Sequence, residues 1–345
     1  MILRRSQQSV RSVGQNVKPA DCLVTETVQS KRIRIENAIR LGNSEVLKDL
    51  AISPMGLLED SLRRRAWPIM LKLDGAERTQ GVASDTLRSH QYYQQVLADV
   101  QRSIRRFPPS IPRVKRLRLQ DKLNSLIMRI LVANPDLHYY QGYHDICVTV
   151  LLVLDGDEDL AFRIVEDLSR TKLRPFMEVT VQGTVRQLDG VYPLLGHLNE
   201  PLKKFLEKSQ CGVMFLLPWC ITWFGHDLTH YATLVRLFDL FLASEELMPI
   251  YLAASIILKH HAYLLKQECS LSSVHAYLGR VLHLIDCAQG EMEERIQFAL
   301  ESYRRFPLKR SAAEPPIIMP KTKRSDWTDI SDECRTSVDT DFVIL

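Results

Sequence analysis

The feature that most constrains this 345-residue chain is an apolar stripe of helical period that runs into a polar, aromatic stretch. Apolar side chains at residues 123, 126, 127, 130 and 131 follow the spacing of one helix face, and Asn134-Pro135 predicts the end of that helix. The polar stretch, residues 139–145, is called the elbow below. An almost wholly apolar run, residues 146–154, follows it. Polar groups between two buried elements need hydrogen-bond partners, so the elbow indicates a site.

Helical periodicity dominates the rest of the chain. Asn43-Ser44-Glu45 is a capping signal that predicts a helix through Leu47 and Leu50. Neither period-2 strands nor a fixed-length repeat is evident in the sequence. We therefore predict an all-α fold, with one large multi-helix domain over residues 43–306. The polar segments 1–42 and 307–345 are predicted to be disordered tails. Further helical stripes lie near residues 164–168, 202–206, 231–241, 274–282 and 291–303.

Composition and cysteine usage indicate a cytoplasmic protein. The apolar fraction of 46% allows a sizeable core, while a net charge of +4 names no partner by itself. The seven cysteines are scattered and form no C-x-x-C pair, a pattern that suits a reducing compartment. The N-terminus lacks the apolar region of a secretory signal, and the apolar runs 211–225 and 247–258 are too short to span a membrane. We expect no transmembrane anchor in this chain.

Two patterns imitate metal sites without matching them. His226 and His230 have the spacing of a zinc-binding helix, but Asp227 replaces the general-base glutamate, so surface or capping roles are predicted. The acidic residues between Asp155 and Glu166 follow a calcium-loop spacing without its glycine, which favours an acidic helix N-terminus. No metal site is predicted. Glycine-rich nucleotide-binding motifs are also absent from the sequence, so no cofactor of its own is expected.

A basic segment precedes the elbow. Residues 100–120 contain seven arginines and lysines and no acidic residue, which favours phosphate or an acidic protein surface as a partner. Few aromatic residues are interleaved, so nucleic acid is not an expected partner. A helix is predicted from Ser89 to Phe107, ended by Pro108-Pro109. On this helix Asp99 can hold the guanidinium of Arg102 through an i, i+3 contact.

An arginine and a glutamine are the side chains that assist phosphoryl transfer to water. The guanidinium neutralises charge that grows on the phosphates, and the amide orients the attacking water. Arg102 and Gln141 provide this pair, although two such residues alone are no signature. A third basic feature, the triplet Arg63-Arg64-Arg65, is predicted to face outward on a helix that ends at Trp67-Pro68.

Three segments, in order, resemble the motifs of the TBC domain, the all-helical module of GTPase-activating proteins for Rab GTPases. Residues 62–67 resemble L-R-x-x-V-W, residues 96–102 resemble I-x-x-D-x-x-R, and residues 139–142 resemble Y-x-Q-G. The resemblance extends over about residues 46–306. The departures, Val96 for isoleucine and Ala66 for valine, keep small apolar side chains at packed positions. Three ordered motifs together are a specific signal.

The resemblance implies roles for individual residues. Arg102 is the expected arginine finger, and Gln141 the glutamine finger that stands in for the glutamine of the GTPase. Asp99 is expected to orient Arg102, and Arg63 to brace or contact the site.

Two further residues of the elbow are assigned supporting roles. We expect Gly142 to allow close backbone approach and Tyr139 to hold the elbow in place. If the Tyr139 ring merely packs, its replacement by phenylalanine should cost little activity.

The implied function is acceleration of GTP hydrolysis by a Rab GTPase in its GTP form, in vesicle trafficking of the secretory pathway, including ER-to-Golgi transport. GTP and Mg²⁺ would be carried by the partner. The implied location is the cytosolic face of ER or Golgi membranes, reached by peripheral association, since the chain stops at Leu345 without the hydrophobic anchor found in one branch of the family. The alternative is a non-catalytic TBC-fold module that binds a Rab or a scaffold.

Overall fold

The computed structural model describes residues 27–73, 83–103, 111–286 and 289–308. Every regular element within these ranges is a helix, which confirms the all-α prediction. Short 3-10 turns at Arg174–Phe176 and Met214–Leu216 interrupt the succession of α-helices. The α-helices are α1 (Val28–Arg40), α2 (Ser44–Ile52), α3 (Asp60–Met70), α4 (Ser84–Arg88), α5 (Tyr93–Ser103), α6 (Arg113–Ala133), α7 (Tyr143–Val153), α8 (Glu158–Arg170), α9 (Gln182–Asp189), α10 (Val191–Leu198), α11 (Glu200–Lys208), α12 (Leu217–Ile221), α13 (Tyr231–Ala243), α14 (Met248–Lys259), α15 (His261–Leu264), α16 (Leu271–Asp286) and α17 (Gln289–Arg305).

The prediction of a disordered tail over residues 1–42 is wrong for Val28–Arg40, which form the packed helix α1. The Thr27 side chain caps it by accepting a hydrogen bond from the Ser30 amide. Its buried face includes Ile35 and Lys31, whose ammonium donates to the Ser53 hydroxyl at 2.7 Å. A buried lysine with such partners cannot be told from a solvated one by sequence alone. Residues 1–26 of the predicted tail lie outside the described part of the chain.

The helices that follow are close to prediction, with two shifted boundaries. Asn43 caps α2 as predicted, accepting from the Val46 amide at 3.1 Å. Helix α3 continues through Pro68 to Met70 instead of ending before it. The missing proline N–H forfeits only one hydrogen bond so close to the helix end, and the buried Trp67 secures the last turn.

The helix that carries Arg102 begins later than predicted. Helix α5 starts at Tyr93, four residues after the expected Ser89, because the short α4 and a turn precede it. Its predicted extension through Phe107 to Pro108-Pro109 falls outside the described residues. Helix α6 ends at Ala133, and Asn134 follows it as the predicted stop.

Helix α7 lies at the centre of the fold. Almost all its residues are buried, and it packs against α3, α5, α6 and α8. The elbow enters α7 directly, so its polar residues are set at the edge of the core. Within the described residues, no helix is both long and apolar enough to cross a membrane.

The segments that imitate metal sites cap helices instead. Asp157 caps α8 by accepting from the Leu160 amide at 3.1 Å, as the acidic N-terminus predicted. His230 caps α13, and the stretch from His226 to His230 is a turn, not a helix, so the two imidazoles do not share a helix face. No metal-binding grouping of three or more His, Cys, Asp or Glu occurs in the described ranges.

The C-terminal helices close the domain. Helices α16 and α17 pack against α14, and beyond α17 the Leu308 amide donates to the Tyr251 hydroxyl at 2.6 Å. The tail predicted from residue 307 otherwise lies outside the described residues.

Candidate functional site

The buried carboxylate of Asp99 holds the exposed side chain of Arg102. Asp99 is 1% exposed, whereas the Arg102 side chain is 55% exposed. The Asp99 Oδ1 atom forms a direct ion pair with Nη2 of Arg102 across one turn of α5, as the i, i+3 spacing predicted. A guanidinium has further N–H donors, so this pairing leaves donors for a second anionic partner. The Arg102 guanidinium therefore carries a positive charge at the surface, while a buried carboxylate anchors it.

The second oxygen of Asp99 joins α5 to the elbow. Tyr139 donates its hydroxyl proton to Asp99 Oδ2 at 2.8 Å. Burial, followed by the nearby Asp99 carboxylate, raises the pKa of Tyr139 well above its usual value, so the hydroxyl keeps its proton as a donor. The sequence assigned Tyr139 only to holding the elbow in place. The structure shows a further contact, because the Tyr139 hydroxyl bonds the carboxylate that pairs with Arg102.

Gln141 and Gly142 form the turn that leads into α7. Gln141 is half-buried, and Gly142 has a φ of 102°, in the left-handed region. A Cβ atom on Gly142 would lie 2.7 Å from Cγ2 of Thr222, so the positive φ and this side-chain contact both favour glycine. The Tyr140 hydroxyl donates to the Ile221 carbonyl at 2.8 Å. The end of α12 therefore supports the backbone on both sides of Gln141.

Two histidines extend the polar cluster. His144 Nδ1 lies 3.3 Å from the Tyr139 hydroxyl oxygen, and His144 Nε2 lies 3.5 Å from Asp145 Oδ1. The other oxygen of Asp145 lies 3.5 Å from Nδ1 of His226. Sequence reasoning gave neither histidine a role in the site. The elbow sequence Tyr-His-Asp offered a signal for His144, but nothing local indicated that a turn 81 residues beyond Asp145 would place His226 there.

The structure thus connects Asp99, Arg102 and the elbow through one buried cluster. Arg102 is held through Asp99, and Gln141 stands two residues after the tyrosine that bonds Asp99. Buried hydrogen bonds therefore join the helix that carries Arg102 to the elbow that carries Gln141.

Arg63, in contrast, lies in a different cluster. It is 4% exposed, so the prediction that it faces outward is wrong, although Arg64 and Arg65 are exposed. Its guanidinium donates to Asp239 of α13 at 3.0 to 3.1 Å and to Asp60 at 2.9 Å. Burial alone would lower the pKa of Arg63, but the two carboxylates outweigh it and raise that pKa. These contacts join α3 to α13.

Comparison with known proteins defines the class. The model of the Rab-GTPase-TBC domain matches residues 60–265, more than half of the chain. The chain belongs to this family. It is 44% identical over 235 residues to TBC1 domain family member 20 of Bos taurus, covering 68% of this chain and 58% of that protein. It is 42% identical over 255 residues to the Homo sapiens protein of the same name, covering 73% and 63%. The chain therefore spans about three fifths of the length of these mammalian relatives.

More distant proteins agree with this assignment. The GTPase-activating protein gyp10 of Schizosaccharomyces pombe is 31% identical over 254 residues, with 72% of this chain and 67% of that protein covered. Among solved structures, the Ypt/Rab-GAP domain of Gyp1p has a TM-score of 0.57 at 12% identity, covering 81% of this chain and all (100%) of that one. The Chlamydomonas flagellar RabGAP TBC domain has a TM-score of 0.55 at 15% identity, covering 79% and 92%. These two likenesses confirm the fold.

Proposed function

We propose that this chain is a GTPase-activating protein that accelerates GTP hydrolysis by a Rab family small GTPase, with Arg102 as arginine finger and Gln141 as glutamine finger. The observation that carries the proposal is the Asp99 carboxylate, which pairs with the exposed Arg102 on one side and accepts from Tyr139 on the other. Membership of the Rab-GTPase-TBC domain family supports it. So does the similarity to gyp10, itself named a GTPase-activating protein.

The two side chains supply complementary parts of the reaction. A guanidinium at the phosphates stabilises charge that develops in the transition state, and an arginine supplied in trans contributes about 10³- to 10⁵-fold in rate. An amide at the elbow orients the attacking water. GTP and Mg²⁺ come with the partner in its GTP form, so the chain needs no cofactor of its own. The site is complete only when the GTPase brings its nucleotide between Arg102 and Gln141.

The cellular setting is part of the same proposal. The sequence resemblance supports action on vesicle trafficking in the secretory pathway, including ER-to-Golgi transport, at the cytosolic face of those membranes. Exposed basic residues at the start of α6, Arg113, Lys115 and Arg118, are suited to peripheral contact with an anionic surface.

The decisive experiment is a screen of purified, GTP-loaded Rab proteins, with phosphate release followed in single turnovers. The wild-type chain should accelerate hydrolysis by at least one Rab, and Arg102→Ala should lower that acceleration by about 10³-fold while binding persists. Gln141→Ala should also lower it. Arg305→Ala removes an exposed arginine that pairs with Glu301 on α17, and is the matched control.

Two outcomes would contradict the mechanism. Unchanged turnover with Arg102→Ala would reject the arginine finger. Wild-type chain that binds GTP-loaded Rab without altering its hydrolysis would instead identify a non-catalytic binding module.

A further inference from the structure

His144 occupies the first turn of α7, where it is 7% exposed and lies behind the two proposed fingers. Its Nδ1 atom is 3.3 Å from the Tyr139 hydroxyl oxygen, and its Nε2 atom is 3.5 Å from Asp145 Oδ1. Each nitrogen of a buried imidazole needs a hydrogen-bond partner of the opposite kind, a donor for a bare nitrogen and an acceptor for an N–H. A buried polar group without such a partner is costly.

The hydrogen bonds of Tyr139 determine which atom of His144 carries a proton. A hydroxyl has a single hydrogen to donate. Tyr139 gives that hydrogen to Asp99, because the carboxylate paired with Arg102 can only accept. The Tyr139 oxygen can therefore meet His144 only as an acceptor. His144 must donate from Nδ1, and because the Asp145 carboxylate beyond Nε2 can also only accept, the geometry calls for a proton on both ring nitrogens.

Asp145 holds the far side of the imidazole. It is 1% exposed and faces His144 with one oxygen and Nδ1 of His226 with the other. A Cβ atom on Gly225 would lie 3.5 Å from Cβ of Asp145, so the turn after α12 packs against this residue. The anchor of His144 is thus built into the core and does not depend on the surface.

We propose that His144 is a positioning residue for Arg102, acting through Tyr139 and Asp99. This inference rests on the function proposed above. The chain of contacts runs from Asp145 to His144, to the Tyr139 hydroxyl, to the Asp99 carboxylate and to the Arg102 guanidinium. His144 touches neither the nucleotide nor the partner in this scheme.

The physical reason is the freedom of a long, exposed side chain. Arginine has many rotamers, and 55% of the Arg102 side chain is in solvent, so its direction depends on the carboxylate at its base. Both Asp99 oxygens must be engaged for that carboxylate to keep its orientation. Small displacements of a catalytic group can cost large factors in rate. Loss of the His144 donor should therefore lower the turnover rate more than the affinity for the GTPase.

The first test compares two replacements of His144 in the full chain. His144→Phe removes the donor and should lower the accelerated hydrolysis rate about tenfold, with KM for the GTPase little changed. His144→Asn places an amide nitrogen at the position of Nδ1, and should retain most of the rate. His260→Phe is the matched control, because it removes a comparable imidazole–tyrosine contact, 3.1 Å from His260 Nδ1 to the Tyr277 hydroxyl.

The second test asks whether the effect passes through Arg102. In an Arg102→Ala background, His144→Phe should lower the residual rate no further, because the group it positions is gone. The same tenfold loss in both backgrounds would overturn the proposal, as would wild-type turnover by His144→Phe. Thermal unfolding of each variant shows which ones fold.

Tyr139→Phe keeps the ring and removes the hydroxyl that contacts both His144 and Asp99, so it tests the same chain of contacts.

A measurement that needs no activity separates the two proposals. Nitrogen NMR of the wild-type imidazoles should show a protonated Nδ1 on His144, with a signal that moves in Tyr139→Phe. An unprotonated Nδ1 would overturn the proposal for His144 whatever the activity. Wild-type chain that activates no GTPase would reject the function instead, and with it the positioning role.

Discussion

Two buried aspartates, Asp239 and Asp99, each bind an arginine. The two clusters differ in how exposed that arginine is. Asp239 is fully buried and accepts hydrogen bonds from Arg63, from Trp67 Nε1 at 2.9 Å and from the Leu57 amide at 2.9 Å. Its arginine is buried with it. Asp99 is equally enclosed, but its arginine reaches solvent.

The difference separates a contact that joins two core helices from one that we propose to be functional. A carboxylate saturated by buried donors connects elements of the core, here α3 with α13, and removing one partner leaves a buried charge uncompensated. A carboxylate with one exposed partner directs charge to the surface, where a ligand can meet it. We therefore expect that breaking the pair in which both side chains are buried lowers stability. Breaking the pair in which only the carboxylate is buried should lower the rate of GTP hydrolysis.

The largest expected effect is on the exposed arginine. Arg102→Lys keeps a positive charge but loses the planar fork that can bind Asp99 and phosphate together. We expect the acceleration of GTP hydrolysis to fall by about 10³-fold, and the free energy of unfolding to change by less than about 0.5 kcal/mol. Single-turnover hydrolysis and urea unfolding measure the two quantities. Arg305→Lys is the control, and a large loss of stability in Arg102→Lys would erase the contrast between the clusters.

The buried cluster should show the reverse behaviour. Asp239→Asn removes the buried carboxylate that joins Arg63 of α3 to α13 and leaves only the partly exposed Asp60, and we expect a loss of about 3 to 5 kcal/mol in the free energy of unfolding. The folded fraction should still accelerate hydrolysis. Glu301→Gln, on the exposed Glu301–Arg305 pair, is the control and should change little. If turnover is lost while stability is kept, Arg63 belongs to the site, as the family resemblance implied.

The difference between local and distant contacts explains which features could be predicted from the sequence. The helices after residue 43 were predictable because their apolar stripes and caps are local, as with Asn43 and Asp157. Asp99 and Arg102 lie one turn apart, so their contact could also be predicted from spacing.

Other features depend on partners distant in sequence. Asp60 lies one turn before Arg63, but the buried carboxylate of Asp239 is 176 residues away, so the sequence does not show that Arg63 is buried while Arg64 is exposed. Lys31 is buried by Ser53 and Pro54, 22 and 23 residues further on, so α1 seemed polar. His226 reaches Asp145 only through the tertiary fold.

The turn that carries Gln141 offers a test of intermediate size. Gly142→Ala places a Cβ atom 2.7 Å from Thr222 Cγ2 at a φ of 102°, and should cost about 1 to 3 kcal/mol in stability together with part of the turnover. Adding Thr222→Ser removes the methyl group and should restore part of both. Gly42→Ala, at a φ of 61° with no atom within 4 Å of the new Cβ, reports the backbone cost alone. Equal losses at Gly142 and Gly42 would show that the close approach to Thr222 is unimportant.

A third arginine–carboxylate pair, Arg32 with Glu59, is partly exposed at both ends and should show the smallest effect. The side chains are 31% and 42% exposed, and their closest contact is 2.7 Å. Hydrogen bonds from Arg32 and then Ser61 lower the pKa of Glu59 from 4.5 to about 2. A lowered folded-state pKa means that the pair stabilises the fold fully above pH 4.5, and progressively less as the pH falls towards 2.

Glu59→Gln should therefore be slightly less stable than wild type near neutral pH, with a deficit that shrinks on acidification and on addition of salt. Urea unfolding of both proteins between about pH 6 and about pH 3 measures it. A deficit that grows towards acid would contradict the assignment, because the Glu59–Arg32 pair should lose its contribution to stability as Glu59 gains a proton.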